Sequence, residues 1–368
     1  MKRALLAAVF VMEAVAAQAQ NGSNLEPHRL ILYEENDIHL FSRVEGRDRH
    51  YTQGLKLQLL YPEGEVLPLI DRITRRLQTH WGGCRTSGDG PRCSSGWALG
   101  QNMYTPQDIS QTALQTDERP YAAWLYGGAV FEMRTPRPEG TNESAIDRVV
   151  ELDVGMIGPA ALGRPIQTRW HDLIDVDPPR GWANQLRNEP GIELHYSRRA
   201  LRRIAERGCW SVDFMDRRSG ALGNIFTFVS AGPTFRAGFN MSEDFAGVIP
   251  QVIPAPVPPQ PVPPPPPPMA SASSSPAVSN NLIEAYVFVG GDGRLVLWNE
   301  LIEGNCCVHP ASHGVRLRRA VAMLDWGAAV RVGPVRLTWR QIRRTREFEG
   351  QKKSDIYGAL ALVYNRRY

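Results

Sequence analysis

The alternation in the last segment constrains the fold more than any other feature of the sequence. Ile356, Gly358, Leu360, Leu362 and Tyr364 fall on one side of an extended chain, which finishes at Tyr368. Successive side chains of a strand point to opposite faces, so this spacing makes one apolar face and one mixed face. The same period recurs upstream. Leu55, Leu57, Leu59 and Tyr61 alternate with Gly54, Lys56, Gln58 and Leu60, and Val335, Leu337 and Trp339 alternate with Arg336, Thr338 and Arg340. A strand that separates lipid from a polar lumen needs such a pair of faces.

The N-terminus has the pattern of an export signal. Lys2 and Arg3 precede the apolar run Ala4–Met12, and Ala17-Gln18-Ala19 supplies the small residues of a cleavage site. Residues 1–19 are therefore expected to be a signal peptide and 20–368 the mature chain. Beyond the signal no apolar run approaches the roughly 20 residues of a spanning helix. That leaves a soluble exported protein or a closed β-barrel, the other structure that satisfies every backbone polar group in lipid. Aromatic residues near strand ends, among them Trp97, Tyr104, Trp298 and Trp339, favour the membrane. So does the terminal Tyr368, which resembles the assembly signal of bacterial outer-membrane barrels.

The expectation is an all-β fold: a transmembrane antiparallel β-barrel of about twelve strands in the bacterial outer membrane, as one domain and a monomer. The strand-like runs are 30–42, 51–61, 96–104, 120–133, 147–157, 191–200, 208–217, 223–240, 283–300, 316–332, 334–347 and 355–368. With both ends in the periplasm, the connection holding Gly158–Pro190 faces outward. It contains a short helix begun after Pro165 and stopped before Pro178-Pro179. The Pro- and Ser-rich tract 250–281 falls in a periplasmic connection and reads as an insertion within the domain.

Composition narrows the partners. A net charge of +4, scattered along the chain, gives no case for nucleic acid. Of five cysteines, Cys84 and Cys93 flank a short loop and suit a disulfide in an oxidising compartment. Cys306 and Cys307 are adjacent, an awkward spacing for a bridge with each other.

Three places carry candidate chemistry. Glu34-Glu35-Asn36-Asp37 puts carboxylates and an amide in the first strand, where a lipid-facing carboxylate is costly and where oxygen donors suit calcium. Neighbours point to opposite faces, so either a metal or loop holds one carboxylate or the strand is irregular. Thr52 is in phase with Gly54 and Lys56. His171, in the loop helix, has the side chain best suited to take a proton from water near neutral pH. No G-x-S-x-G elbow is present to support a serine nucleophile.

Several ordered motifs together resemble the outer-membrane lipid A 3'-O-deacylase (LpxR) family. They are Glu35-Asn36-Asp37, Asp48-Arg49-His50-Tyr51-Thr52-Gln53-Gly54, Gln101-Asn102-Met103-Tyr104-Thr105-Pro106 and Glu118-Arg119-Pro120-Tyr121-Ala122-Ala123-Trp124. Further along come Gly155 to Gly163, Gln167, His171, Gly181 to Leu186, Glu189-Pro190-Gly191 and Arg344 to Phe348. The likeness covers nearly the whole mature chain except the Pro-rich tract.

The resemblance implies an ester hydrolase that removes the 3'-acyloxyacyl chain of lipid A in lipopolysaccharide and depends on Ca2+. By motif, His171 is the general base, Asp37 a calcium ligand, and Asn36 and Thr52 line the site. Lys56 is the candidate for the family's substrate-binding lysine. Ala123 stands where the family usually has glycine, and Gln53 where it often has asparagine. The alternatives are a non-catalytic barrel, porin-like or degenerate, and an outer-membrane phospholipase. The latter needs a Ser/His/Asn set that does not stand out here.

Overall fold

In the computed structural model twelve antiparallel strands close into one barrel, in sequence order with the first paired to the last. The structure describes residues 29–36, 49–62, 84, 90–138, 141, 143–242, 283–310 and 312–365. The expected signal peptide, Asp37, the tract 250–281 and Tyr368 lie outside the described residues. The strands are β1 (Arg29–Asn36), β2 (Gln53–Pro62), β3 (Arg92–Tyr104), β4 (Ala122–Thr135), β5 (Ala145–Ile157) and β6 (Glu189–Arg207). There follow β7 (Trp210–Gly223), β8 (Phe226–Phe239), β9 (Ile283–Asn299), β10 (Ala320–Val332), β11 (Val335–Arg344) and β12 (Asp355–Asn365). Among the described residues two α-helices lie in connections, α1 (Gly163–Ile174) and the short α2 (Glu300–Glu303). Helix α1 is the expected loop helix, begun three residues earlier because Pro165 fits its first turn, where the missing N–H costs nothing.

The two faces of the wall differ sharply. Outward stand Leu55, Leu99, Val154, Leu194, Val287, Leu337 and Leu360, all open at the surface, as a lipid-exposed wall requires. Charge also stands on the outer face, where Asp216 is held 3.0 Å from Arg218 and 3.7 Å from Arg198.

Inward the wall is charged and buried. Arg29 pairs with Glu132 at 2.9 Å with both side chains fully buried. Arg199 pairs with Asp147 at 2.6 Å, Arg336 with Glu284 at 3.0 Å and Lys56 with Glu151 at 2.8 Å. Ions taken from water must be paired, and these are. A water-filled pore leaves its lining exposed to solvent; this lining fills the lumen instead, which counts against the porin-like reading.

Strands β6 and β7 outrun their expected limits, reaching Arg207 and Gly223. The reason is that charge occupies both faces there: Arg198 points out to Asp216, while Arg199 points in to Asp147. The apolar–polar period is lost even though the ladder continues.

A disulfide joins Cys84 and Cys93 as expected. Contrary to expectation, Cys306 and Cys307 are also joined, their Cα atoms 3.7 Å apart across one peptide bond. Turned to the same side, adjacent residues can close such a ring.

Candidate active site

Helix α1 is laid against the outside of the barrel by the 5–6 connection that carries it. Gly158, at φ 89°, donates its N–H to Ala123 O, and a Cβ there would stand 2.5 Å from the Arg187 carbonyl carbon. Only glycine suits both demands. Gly163 opens the helix at comparably close range. A Cβ on it would lie 2.7 Å from Ala123 Cβ and 2.5 Å from the Trp182 ring. The far end stops at Asp175, in the left-handed conformation at φ 58°, where Val176 N–H returns to His171 O.

Gly163, Gln167 and His171 are the buried residues of α1. Spaced by four, they form one stripe down the helix, and Gly163 shows that this stripe faces the wall. Gln167 Oε1 accepts from Trp182 Nε1 at 2.7 Å, and Trp182 packs with Met103, Tyr121, Ala123 and Ala161.

His171 is 2% exposed, and its Nδ1 lies 2.6 Å from Asp177 O. A carbonyl only accepts, so Nδ1 carries the proton of the neutral ring and Nε2 is its basic nitrogen.

The wall beneath is defined by register. Asn36 pairs with Gln53, Gln53 with Met103, and Met103 with Ala123, so these four form one row across β1, β2, β3 and β4 at the external end. All face outward, because their alternating neighbours face in. Glu35 takes hydrogen bonds from Tyr33 and Tyr51 in the lumen, and Asn102 reaches Tyr51 there. The structure therefore places Asn36 and the His171 helix on the same side of the same wall.

Thr52 precedes β2 rather than lying within it. Its Oγ1 is 2.9 Å from Thr105 Oγ1, and its N–H donates to Met103 O, on the outward-facing row. Two residues before it, His50 is in the left-handed conformation at φ 62°. Lys56 is not part of this group: it projects into the lumen, across the wall from Asn36, and is committed to Glu151.

Above the barrel the loop motifs form a clasp that the sequence did not reveal. His50 Nδ1 is 2.8 Å from Asp355 and its Nε2 3.2 Å from Glu118, while its ring meets Phe348 edge-on. Burial pushes the His50 pKa down, but the hydrogen bonds to Asp355 and Glu118 outweigh it and hold the pKa above the ordinary value. Arg119 lies 4.2 Å over the Tyr104 ring and donates to Leu301 O at 3.1 Å. The signal available was three acidic or basic positions in otherwise unrelated loops, with nothing to pair them.

Among the described residues two places offer metal-ligand atoms. Glu189, Cys306 and Cys307 converge, with Cys306 Sγ 3.0 Å from Glu189 Oε1. The bond between the two sulfurs removes them as thiolate donors. Nearby, burial and the Glu189 charge push Glu300 up to about 8. On the outer face of β1, the Asn36 amide and the Glu34 carboxylate are hard oxygen donors of the kind calcium prefers.

The comparisons with known proteins bear on the family and the fold. The family model described as "Outer membrane protein LpxR" matches residues 4–366. Among solved structures, LpxR from Salmonella typhimurium is similar at 19% identity and a TM-score of 0.66, covering 91% of this chain and 99% of that one. The beta domain of the Bordetella autotransporter BrkA matches at 10% identity and a TM-score of 0.42, covering 92% and 98%. No curated protein sequence matches the chain.

Proposed function

The chain belongs to the LpxR family of outer-membrane proteins, and on that premise we propose that it is a lipid A 3'-O-deacylase, an ester hydrolase acting at the outer face of the barrel. The observation that carries the reading is the common placement of Asn36 and the His171 helix on the outward side of β1–β4, at the external end. Glycolipid of the outer leaflet lies against that side of the wall. The two spans match. Three strand spacings from Ala123 to Asn36 are about 14 Å, and eight residues of helix from Gly163 to His171 are about 12 Å. A helix that ran along the row would carry His171 to the neighbourhood of Asn36.

In this reading His171 Nε2 takes a proton from water as the water oxygen adds to the ester carbonyl. The Asp177 carbonyl fixes the ring and its tautomer throughout. The Asn36 amide and the Thr52 hydroxyl donate to the developing oxyanion and hold the ester in line. Collapse breaks the bond to the sugar 3'-oxygen, which takes the proton back from His171. The products are the free acyloxyacyl acid and the sugar alcohol. Ca2+, held by Asp37 with the outer-face oxygens, would supply positive charge at the oxyanion. Lys56 has no part in these steps.

The test is the lipid A mass spectrum of cells that make the protein in a background with an ester at the 3' position. Calcium-dependent loss of one acyloxyacyl group supports the reading, and an unchanged spectrum with a folded barrel overturns it.

A further inference from the structure

Helix α1 is divided lengthwise. Its buried stripe, Gly163, Gln167 and His171, meets the wall. On one side of that stripe Leu162, Ile166 and Leu173 are 47%, 37% and 49% exposed, with Trp170 half-buried among them. On the other side stand Arg164, Thr168, Asp172 and Asp175. At 3.6 residues per turn the two sets fall on opposite flanks of the helix, one apolar and one polar. Apolar side chains gathered on one flank in this way mark a contact surface rather than a scatter of exposed residues. The apolar flank also adjoins an interface already in place. Gln101 of β3 donates to Ala161 O, and Leu125 of β4 packs on the cluster of Ala161, Ala123 and Trp182. Gln101 pairs with Leu125, in the outward row next to that of Met103 and Ala123 on the membrane side. The next outward residue of β3 is Leu99, which is 50% exposed on the lipid-facing wall. The root of α1 is therefore fastened at the upper edge of that wall, and Leu162 follows Ala161 directly.

We infer that the flank Leu162, Ile166, Trp170 and Leu173 is a lipid-binding surface, seated among the acyl chains of the outer leaflet. Helix α1 then lies along the bilayer surface with Arg164, Thr168, Asp172 and Asp175 turned to water. A helix of this kind buries its apolar side about 5–10 Å into the boundary between headgroups and acyl chains. The occupant is lipid rather than protein because the flank borders the lipid-facing wall. A protein docked there would have to displace acyl chains from Leu99 and its neighbours, and chains as apolar as leucine leave little gain for that exchange. Acyl chains thus border the slot between α1 and the wall on its membrane side. The inference rests on the place of the barrel in the membrane and not on the proposed hydrolysis.

The experiment uses the full chain in phosphatidylcholine vesicles, with and without bromine atoms on the acyl chains as fluorescence quenchers. Cys209→Ser removes the free thiol, and a fluorophore is then attached to one new thiol at a time. Ile166→Cys and Leu173→Cys report on the apolar flank, Thr168→Cys and Asp172→Cys on the polar one. Heat-modified gel mobility shows that each barrel is folded. Fluorophores at 166 and 173 are expected to lose most of their emission in the brominated vesicles, and those at 168 and 172 to keep most of theirs. Equal quenching on the two flanks, or none at 166 and 173, overturns the inference. Disulfide cross-linking of unlabelled Ile166→Cys proteins in vesicles without bromine would assign the flank to a second copy of the chain and overturn it too. Quenching confined to the apolar flank of a protein that deacylates nothing supports the lipid seat and overturns the hydrolase. An unquenched flank on a protein that deacylates lipid A overturns the seat and leaves the hydrolase reading standing.

Discussion

Gly163 of α1 stands against Ala123 of β4 so closely that a Cβ on the glycine would lie 2.7 Å from the alanine Cβ. This contact fixes how near the histidine-bearing helix comes to the wall. Enlarging Ala123 to leucine is expected to wedge the helix outward and cut the deacylation rate at least about a hundredfold, since misplacement by about 1 Å far from the chemistry can cost that much. The barrel itself should keep its heat-modified mobility on gels. A folded Ala123→Leu protein with unchanged turnover would show that the helix seat does not position His171.

Lys56 is buried in the lumen, 2.8 Å from Glu151. Replacing it with methionine strands a buried carboxylate, which costs about 3–5 kcal/mol. Lys56→Met should lower the urea midpoint in detergent and leave the rate per folded molecule unchanged. A selective loss of substrate affinity with no loss of stability would return Lys56 to the substrate.

His50 ties the loop before β2 to Glu118 and Asp355. Its pKa is raised in the folded protein, so the stabilisation is fully present below the unfolded value of about 6.5 and is lost as pH rises through the folded value. The clasp should therefore loosen on the alkaline side. Hydrogen exchange of the amides around Phe348 and Asp355 should quicken with rising pH beyond the intrinsic base catalysis, and His50→Gln should remove that excess. A wild-type excess that persists in His50→Gln would assign it to another group.

Much of the barrel was legible because lipid outside and charge inside impose a two-residue period. In β2, β11 and β12 that period sorted the faces correctly, and the same alternation already set Lys56 opposite Leu55 and Leu57. It failed at β6 and β7, where Arg198 and Arg199 point to opposite faces and both find carboxylates.

The site was legible as residue types in order but not as a place. Which of Glu34 and Glu35 meets lipid depends on register against β2 and β12, and a single strand does not contain that information. The His50 clasp was invisible for a related reason: its partners lie 68 and 305 residues away.

The account stands or falls on His171 as the base. The direct measurement is the hydrolysis rate of ester-linked lipid A by the purified protein in micelles with calcium, for wild type and His171→Ala, with calcium affinity recorded on the same samples. The prediction is a rate loss of about 10²–10⁴ in His171→Ala, with the barrel folded and calcium affinity unchanged. Equal rates from the two proteins would contradict it.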